Sequence, residues 1–387
     1  MDLERRDLVI VGGGPIGCAL AAALAGATRA PLILEKDLGR RHADARTLVL
    51  SYGSRLILER LGVWAALEAS TPITEIHVSQ RAAFGRTVLA AREVGVPALG
   101  YVTGFSALHD ALHEAAVARG AQLRPGAAVT AIESRPDAVR LRYLRDGTEN
   151  LVEASLAAVA DGGAVLRDQT GTQFGARDYE QTAVVALVRS SAPHANRAYE
   201  RFTPGGPVAL LPSGEEYALV WSCAPADAPI LLGLDEQAFL ERLQTHFGDR
   251  AGRFVAVRER AGFPLRLRYA IEPVQARVVL LGNAAQTLHP IAGQGFNLGL
   301  RDAWALGEIL RRTDLSDPGT EGALQRYRAA RRTDRAAGIF STDALARLFS
   351  NDSAVLAAAR GVALSCLDTH PPAKRFLMRR MMFGSAL

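Results

Sequence analysis

Residues 8–35 constrain the fold more tightly than any other stretch of this chain. Leu8-Val9-Ile10-Val11 is a continuous apolar run of the kind buried on both faces of a parallel sheet. It runs into Gly12-Gly13-Gly14-Pro15-Ile16-Gly17, a G-x-G-x-x-G spacing. Gly12 permits a tight turn, Gly14 admits a bulky anion close to the backbone, and Gly17 lets a helix approach the strand. Pro15 suits a first helical turn, where its missing N–H is not needed. An alanine-rich helix to about Ala27, a second strand Pro31–Leu34 and the acid Glu35, followed by Lys36, complete the unit. The order predicts a Rossmann-like βαβ element, with a dinucleotide pyrophosphate at the helix N-terminus and ribose hydroxyls on Glu35. A signal peptide or membrane anchor over the uncharged stretch Leu8–Thr28 is set aside, because glycines and a proline interrupt the roughly 20 apolar residues that a span needs.

A second turn of similar make lies toward the other end. The strand Arg277–Leu281 enters Gly282-Asn283, and the uncharged loop 290–297 holds Pro290, Gly293, Gln294, Gly295, Phe296 and Asn297. A helix follows, with Arg301 and Asp302 on an early turn, and its first amide hydrogens face an anion or a polarised carbonyl. Arg301 and Asp302 themselves read as surface or capping charges. Between the two turns, the apolar strand Leu156–Ala160 ends at a third, Asp161-Gly162-Gly163.

These signals predict an α/β fold: a Rossmann-like nucleotide domain, an inserted β-sheet domain and a helical C-terminal segment. The nucleotide domain is discontinuous (1–73, 100–171 and 264–340), the inserted domain takes 74–99 and 172–263, and residues 341–387 form the terminal segment. Ser51–Leu61, Ser106–Arg119, Asp235–His246 and Leu300–Arg312 read as helices. Ala128–Glu133 and Val139–Tyr143 read as a β-meander around Asp146-Gly147, and Thr182–Arg189, Arg197–Thr203, Val208–Leu211 and Tyr217–Ser222 as further strands.

Composition removes other classes. With 387 residues the chain exceeds one ordinary domain. Cys18, Cys223 and Cys366 lie far apart, without a CxxC or a Cys/His ligand spacing, so disulfide, metal and flavin-disulfide reductase readings fail. The net charge of +5 is spread along the chain and is almost all arginine, with Lys36 and Lys374 the only lysines, and no nucleic-acid motif accompanies it.

The motifs resemble those of the flavin-dependent aromatic hydroxylases of the para-hydroxybenzoate hydroxylase class, and within them the ubiquinone-biosynthesis branch of 2-octaprenyl-6-methoxyphenol hydroxylase type. The resemblance covers nearly the whole chain. It is carried by Gly12–Gly17 with Glu35, Asp44-Ala45-Arg46 with Leu50-Ser51, Arg177–Ala183, Tyr199–Pro204 and above all Gly282–Asp302. It implies FAD as cofactor and NAD(P)H and dioxygen as co-substrates, with a flavin C4a-hydroperoxide hydroxylating the ring of a polyprenyl phenol. It also implies Glu35 on the adenosine ribose beside Lys36, Arg46 near the ribose or pyrophosphate, and Asp161 in the middle FAD motif. Asn283 would bond the ribityl chain in place of the usual Asp, Pro290 would line the reaction side of the flavin, and Gly293–Asn297 would meet the pyrimidine edge. His289, the one histidine inside a motif, is the acid–base candidate beside Pro290.

Two departures stand out. Asp161–Arg167 lacks a Ser usual after Asp-Gly and places Arg one position early, and Ser106 stands where an FAD-contacting Arg is frequent. NAD(P)H has no fingerprint of its own, in keeping with transient binding in a shallow groove. The resemblance leaves open another ring position, a soluble phenol, or a catalytically silent flavin-binding subunit of a biosynthetic assembly. The tail Lys374–Phe383 sets Leu377, Met378, Met381 and Met382 on one helical face among basic residues. It reads either as a surface for a membrane or for other ubiquinone-biosynthesis proteins, or as a helix on the chain's own core. A cytoplasmic protein, peripheral at the inner membrane, is the expected location.

Overall fold

A computed structural model describes residues 3–24, 30–37, 46–81, 83–162, 172–203, 205–312, 317–349 and 354–384. Asp44, Ala45 and Gly163–Arg167, which entered the sequence reading, lie outside them.

The first sheet is ordered β17 (Val274–Gln275), β18 (Val278–Leu280), β11 (Thr148–Val159), β1 (Glu4–Val11), β2 (Leu32–Glu35) and β8 (Gln122–Pro125). The central strands β18, β11, β1, β2 and β8 run parallel. Ile10, Ile33 and Ala158 point into a core shared with α1 (Pro15–Ala23), α3 (Phe105–Ala118) and α6 (Gln294–Arg311). Val9, Val11, Leu34 and Val159 point the other way, against β9 (Ala128–Ser134) and β10 (Val139–Arg145). Burial on both faces is why the opening run lacks polar alternation. The meander strand and the expected strand Leu156–Ala160 are one element: β11 pairs antiparallel with β10 along Thr148–Ala154 and parallel with β1 up to Val159.

The second sheet is ordered β19 (Gln286–Thr287), β16 (Phe254–Ala270), β12 (Phe174–Ser190), β15 (Glu216–Cys223), β14 (Gly206–Ser213), β13 (Arg197–Thr203), β5 (Glu75–Gln80) and β6 (Arg86–Ala90). Its outer face carries Val184, Leu210, Leu219 and Trp221 beneath α4 (Asp227–Gly233) and α5 (Glu236–Phe247), whose Phe239 and Phe247 are buried. Asp235 caps α5 by accepting the Ala238 amide hydrogen at 2.8 Å. A small sheet, β3 (Thr47–Ser51), β7 (Gly100–Gly104) and β4 (Thr71–Ile73), joins the layers, with α2 (Tyr52–Arg60) after β3.

Two expected boundaries fall inside single elements. β16 crosses residue 264 without interruption because it pairs with β12 from Ser190↔Phe254 to Phe174↔Ala270. Its four arginines, Arg258 and Arg266 exposed among them, hid the strand from a hydrophobicity reading. Likewise α7 (Glu321–Phe349) crosses residue 341, before α8 (Ala354–Thr369) and α9 (Pro371–Phe383).

The tail packs on its own core. Met378 and Met382 are buried with Leu89, Ala91 and Leu99, and Ser51 Oγ donates to the Met382 carbonyl at 2.9 Å. Buried Lys374 lies 3.0 Å from a Glu93 carboxylate oxygen. Of the four residues on that apolar face, Met378 and Met382 are thus spent internally while Leu377 and Met381 stay half-buried, and no helix among the described residues is long and apolar enough to cross a membrane.

Candidate active site

A cavity of about 1730 Å³ opens between the C-terminal ends of the first sheet's strands and the inner face of the second sheet. Single small-molecule pockets span roughly 300–1,000 Å³, so this one has room for a dinucleotide and a second molecule.

Its polar half is built from the glycine turns. Gly12 takes φ +101°, and a Cβ there would lie 2.7 Å from the Ala160 carbonyl oxygen, so only glycine fits between β1 and β11. A Cβ on Gly17 would lie 2.0 Å from the Gly12 carbonyl oxygen, which shows how closely α1 sits on the turn. At Gly14, the residue that caps α1, a Cβ would meet no described atom within 4 Å. Among the described residues no side chain caps α1, so its free amide hydrogens open on the cavity. Glu35 is fixed at the rim: its carboxylate accepts the Gly13 amide hydrogen at 2.5 Å and the Asp37 amide hydrogen at 2.9 Å. Lys36, Arg46 and Asp161 share the lining, and the Arg46 guanidinium lies 4.8 Å from the Phe105 ring centre.

The second turn closes the other side. Gly282 and Asn283 line the cavity with Pro15, Pro290, Gly295 and Phe296, and Asn283 and Pro290 are exposed to it. Gly299 brings α6 onto this turn, since a Cβ there would lie 2.9 Å from Gly282 Cα. A Cβ on Gly295 would meet nothing within 4 Å, as at Gly14 and Gly162, which also line the cavity. Uncapped helix amides, a ribose-competent carboxylate and three glycines facing empty space fit a dinucleotide such as FAD.

The remaining half is an apolar wall. Ala183, Val185, Leu187, Ala218, Val220, Ala261, Phe263 and Leu265 contribute it from β12, β15 and β16, with Glu259 at its edge. The sequence reading placed none of these in the site, because which strand residues face the cavity depends on sheet pairing. It also left α3 out of the site, although its Phe105, His109 and His113 line the polar half, with His109 Nε2 hydrogen-bonded to the Gly13 carbonyl oxygen at 3.0 Å. The spacing of His109 and His113, one helical turn apart, was the available signal.

Several expected site residues turn away. His289 is 1% exposed, its Nδ1 accepts the Ile291 amide hydrogen at 3.2 Å, and its ring meets Tyr179 edge-on. Burial lowers its pKa to about 4, and its ring lies outside the cavity lining, so the acid–base role expected for it has no geometric support here. Asn297 is buried and braces the loop: it accepts from the Ser51 amide and Ser54 Oγ, and donates to the Val49 and Gly293 carbonyls. Gly293 takes φ +59° against Val49, and Gln294 Nε2 reaches the Met381 carbonyl at 3.4 Å. Gly17, Gly293, Gln294 and Asn297 thus shape the site without lining it. Arg301 and Asp302 are no surface charges either. Asp302 accepts from Gln286 Nε2 at 2.7 Å and from Arg331 Nε at 2.8 Å, and Asp334 accepts from Arg301 Nε at 2.8 Å, all enclosed between α6 and α7.

Residues 5–340 match the family model described as "FAD binding domain". The chain is 35% identical to the ubiquinone hydroxylase UbiL of Rhodospirillum rubrum, over 97% of this chain and 89% of that one. It is 30% identical to the 3-demethoxyubiquinol 3-hydroxylase of Escherichia coli, over 97% and 98%. Among solved structures, the p-nitrophenol 4-monooxygenase of Pseudomonas putida superposes with a TM-score of 0.81 at 17% identity, covering 100% of both chains, a likeness of fold. Glycine turns, open helix N-terminus and full-length relatives agree: this chain belongs to the FAD-binding-domain family of flavoproteins.

Proposed function

We propose that this protein is an FAD-dependent monooxygenase that hydroxylates the aromatic ring of a polyprenyl phenol in ubiquinone biosynthesis, with NAD(P)H and dioxygen as co-substrates. The observation that carries the reading is the division of one cavity into two chemistries. One half offers backbone amides and Glu35, and the other offers alanine, valine, leucine and phenylalanine. A dinucleotide needs the first, and an aromatic ring with an isoprenoid chain needs the second. Two relatives that match over 89% and 98% of their own length carry ubiquinone or ubiquinol hydroxylation in their names, which supports the substrate class.

FAD, when bound, supplies the redox chemistry by which hydride from NAD(P)H and dioxygen yield an electrophilic oxygen. The chain supplies position and dryness. Glu35 and the α1 N-terminus would hold the adenosine and pyrophosphate, while Asn283, Pro290, Gly295 and Phe296 would border the ring system. Val185, Val220 and Ala261 exclude water from the substrate side, and each buried methylene of an isoprenoid chain contributes about 0.8 kcal/mol there. Glu35, Lys36, Arg46 and Asp161 keep the cofactor roles implied by the resemblance as part of this proposal.

The test is turnover of a short-chain prenyl phenol by purified, FAD-loaded protein. NAD(P)H oxidation should accompany a product one oxygen heavier. Flavin reduction without such a product would leave a flavin-binding subunit in its place.

A further inference from the structure

The inner face of the second sheet carries a row of cross-strand partners, one per strand. Ala261 pairs with Val185, Val185 with Val220, Val220 with Ala209, Ala209 with Glu200, Glu200 with Val78, and Val78 with Thr87. From Ala261 to Val78 every member is partly open, whereas Val184, Leu219, Leu210 and Tyr199 on the opposite face are buried. Thr87, 1% exposed, closes the end. The row is a trough across the sheet. Ala261, Val185 and Val220 line the cavity, and Glu200 lies two strands farther on, roughly 10 Å at ordinary strand spacing.

Glu200 is the one charged member of this row. Its neighbours on the same face of β13 fix where it points: Ala198 packs in a cluster with Val49, and Phe202 in a cluster with Ile291 and Leu345. The carboxyl therefore faces the gap between β3 and the loop after Pro290, where Val49 also abuts Gly293. Charged groups near the outer end are engaged elsewhere. Arg360 donates to Gln80, Asp368 accepts from Thr87 Oγ1, and Lys374 pairs with Glu93. Among the described residues no hydrogen bond or ion pair reaches the Glu200 carboxyl. An ionisable group left unpaired among apolar side chains is costly, and such groups mark sites of chemistry.

Resting on the hydroxylase reading above, we propose that Glu200 is the base that takes the hydroxyl proton of the phenolic substrate lying in this trough. The phenol O–H bond breaks, its proton forms the O–H of the Glu200 acid, and the electron pair stays on the phenolate oxygen. That pair raises the electron density of the ring toward an electrophilic oxygen. After hydroxylation the ring C–H proton goes to solvent and the Glu200 proton returns to the first oxygen, so product leaves neutral and the carboxylate is restored. The isoprenoid chain then runs along Val220, Val185 and Ala261 toward exposed Phe263. Burial pushes the Glu200 carboxyl up to about 7, where a base holds both protonation states near neutral pH.

The test uses the FAD-loaded full chain, a geranyl-substituted phenol and the O-methyl ether of the same compound. Binding is followed by flavin fluorescence from about pH 5.5 to about 8.5, a range that brackets the base's titration. The phenol should bind roughly tenfold tighter or more as the carboxylate forms, as a hydrogen bond to a charged acceptor requires, and the ether should not. Glu200→Gln should abolish that rise and lower kcat/KM for hydroxylation about a hundredfold, with flavin reduction in the absence of phenol unchanged. A rise that survives Glu200→Gln, or one shared by the ether, overturns the assignment. Should the Gln variant lose flavin, Glu200→Asp decides: a rise at a shifted pH supports the assignment, and a flat profile overturns it. A Glu200-dependent rise without any hydroxylated product keeps Glu200 as proton acceptor and removes the hydroxylase reading instead.

Discussion

Asn297 Oδ1 accepts the Ser51 amide hydrogen at 2.8 Å, joining residues 246 positions apart where α6 begins and β3 ends. The same oxygen accepts from Ser54 Oγ at 2.7 Å, and the amide nitrogen donates to the Val49 and Gly293 carbonyls. One buried side chain thus ties the loop after Pro290 to β3 and to the cap of α2. Asn297→Ala leaves several buried polar groups unmatched, each worth about 1–3 kcal/mol. We expect a loss of about 3 kcal/mol or more in denaturant titrations of the apoprotein, together with weaker FAD retention. Near-wild-type stability would show that the loop is held by other contacts.

Two glycines of the first turn separate cofactor binding from folding. Gly14→Val places its side chain in open cavity at an ordinary φ of −67°, so the variant should fold normally and fail to retain flavin. Gly12→Ala meets the Ala160 carbonyl at 2.7 Å with φ +101° and should lose about 1–3 kcal/mol of apoprotein stability from backbone strain alone. Flavin absorbance and thermal unfolding measured on both variants check the contrast. A yellow Gly14→Val protein would contradict the placement of the pyrophosphate.

His289 gives stability a pH dependence. Folded His289 stays neutral down to about pH 4, while an unfolded histidine takes its proton near 6.5. The unfolded state therefore binds the extra proton between these values, so stability is intact above about pH 6.5 and falls toward pH 4 by about 1.4 kcal/mol per unit. His77 and His246, also lowered to about 4 with burial as the main cause, add to the slope. His289→Gln should flatten it by about one proton in urea titrations across that range. An unchanged slope would mean that His289 titrates normally in the fold.

The tail should behave as core. Met382→Ala is expected to cost about 2–5 kcal/mol, since Met382 is 3% exposed against the cluster around Leu89 and Leu99. Removing residues 371–387 should lower the melting temperature or cause aggregation by uncovering that cluster. Truncated protein with wild-type stability and altered vesicle binding would restore the docking role.

Asp302→Asn should destabilise by about 3–5 kcal/mol, because it leaves the buried Arg331 guanidinium with half of its compensation. Pairing it with Arg331→Met should recover part of the loss, as a double-mutant cycle would measure.

The sequence alone was enough for the βαβ unit, the turn at Gly282 and the alternating strands, since these rest on local sterics: positive φ at Gly12, Pro15 in a first turn, period-two burial. Of the glycines it pointed to, Gly12, Gly14, Gly282 and Gly295 border the cavity, whereas Gly17 and Gly293 only shape the turns behind it. It could not tell that His289 and Asn297 point inward, because loop rotamers answer to partners such as Tyr179 and Ser51 that lie far away in the chain. Nor could it set Glu200 in line with Val220 and Ala261, which needs the register of successive strand pairings. Side-chain period and turn chemistry are properties of neighbours in sequence. Which face is covered, which charge is paired and which methionine is buried are decided only when separate segments meet, and here that meeting placed the apolar wall, the buried Asp302 network and the tail.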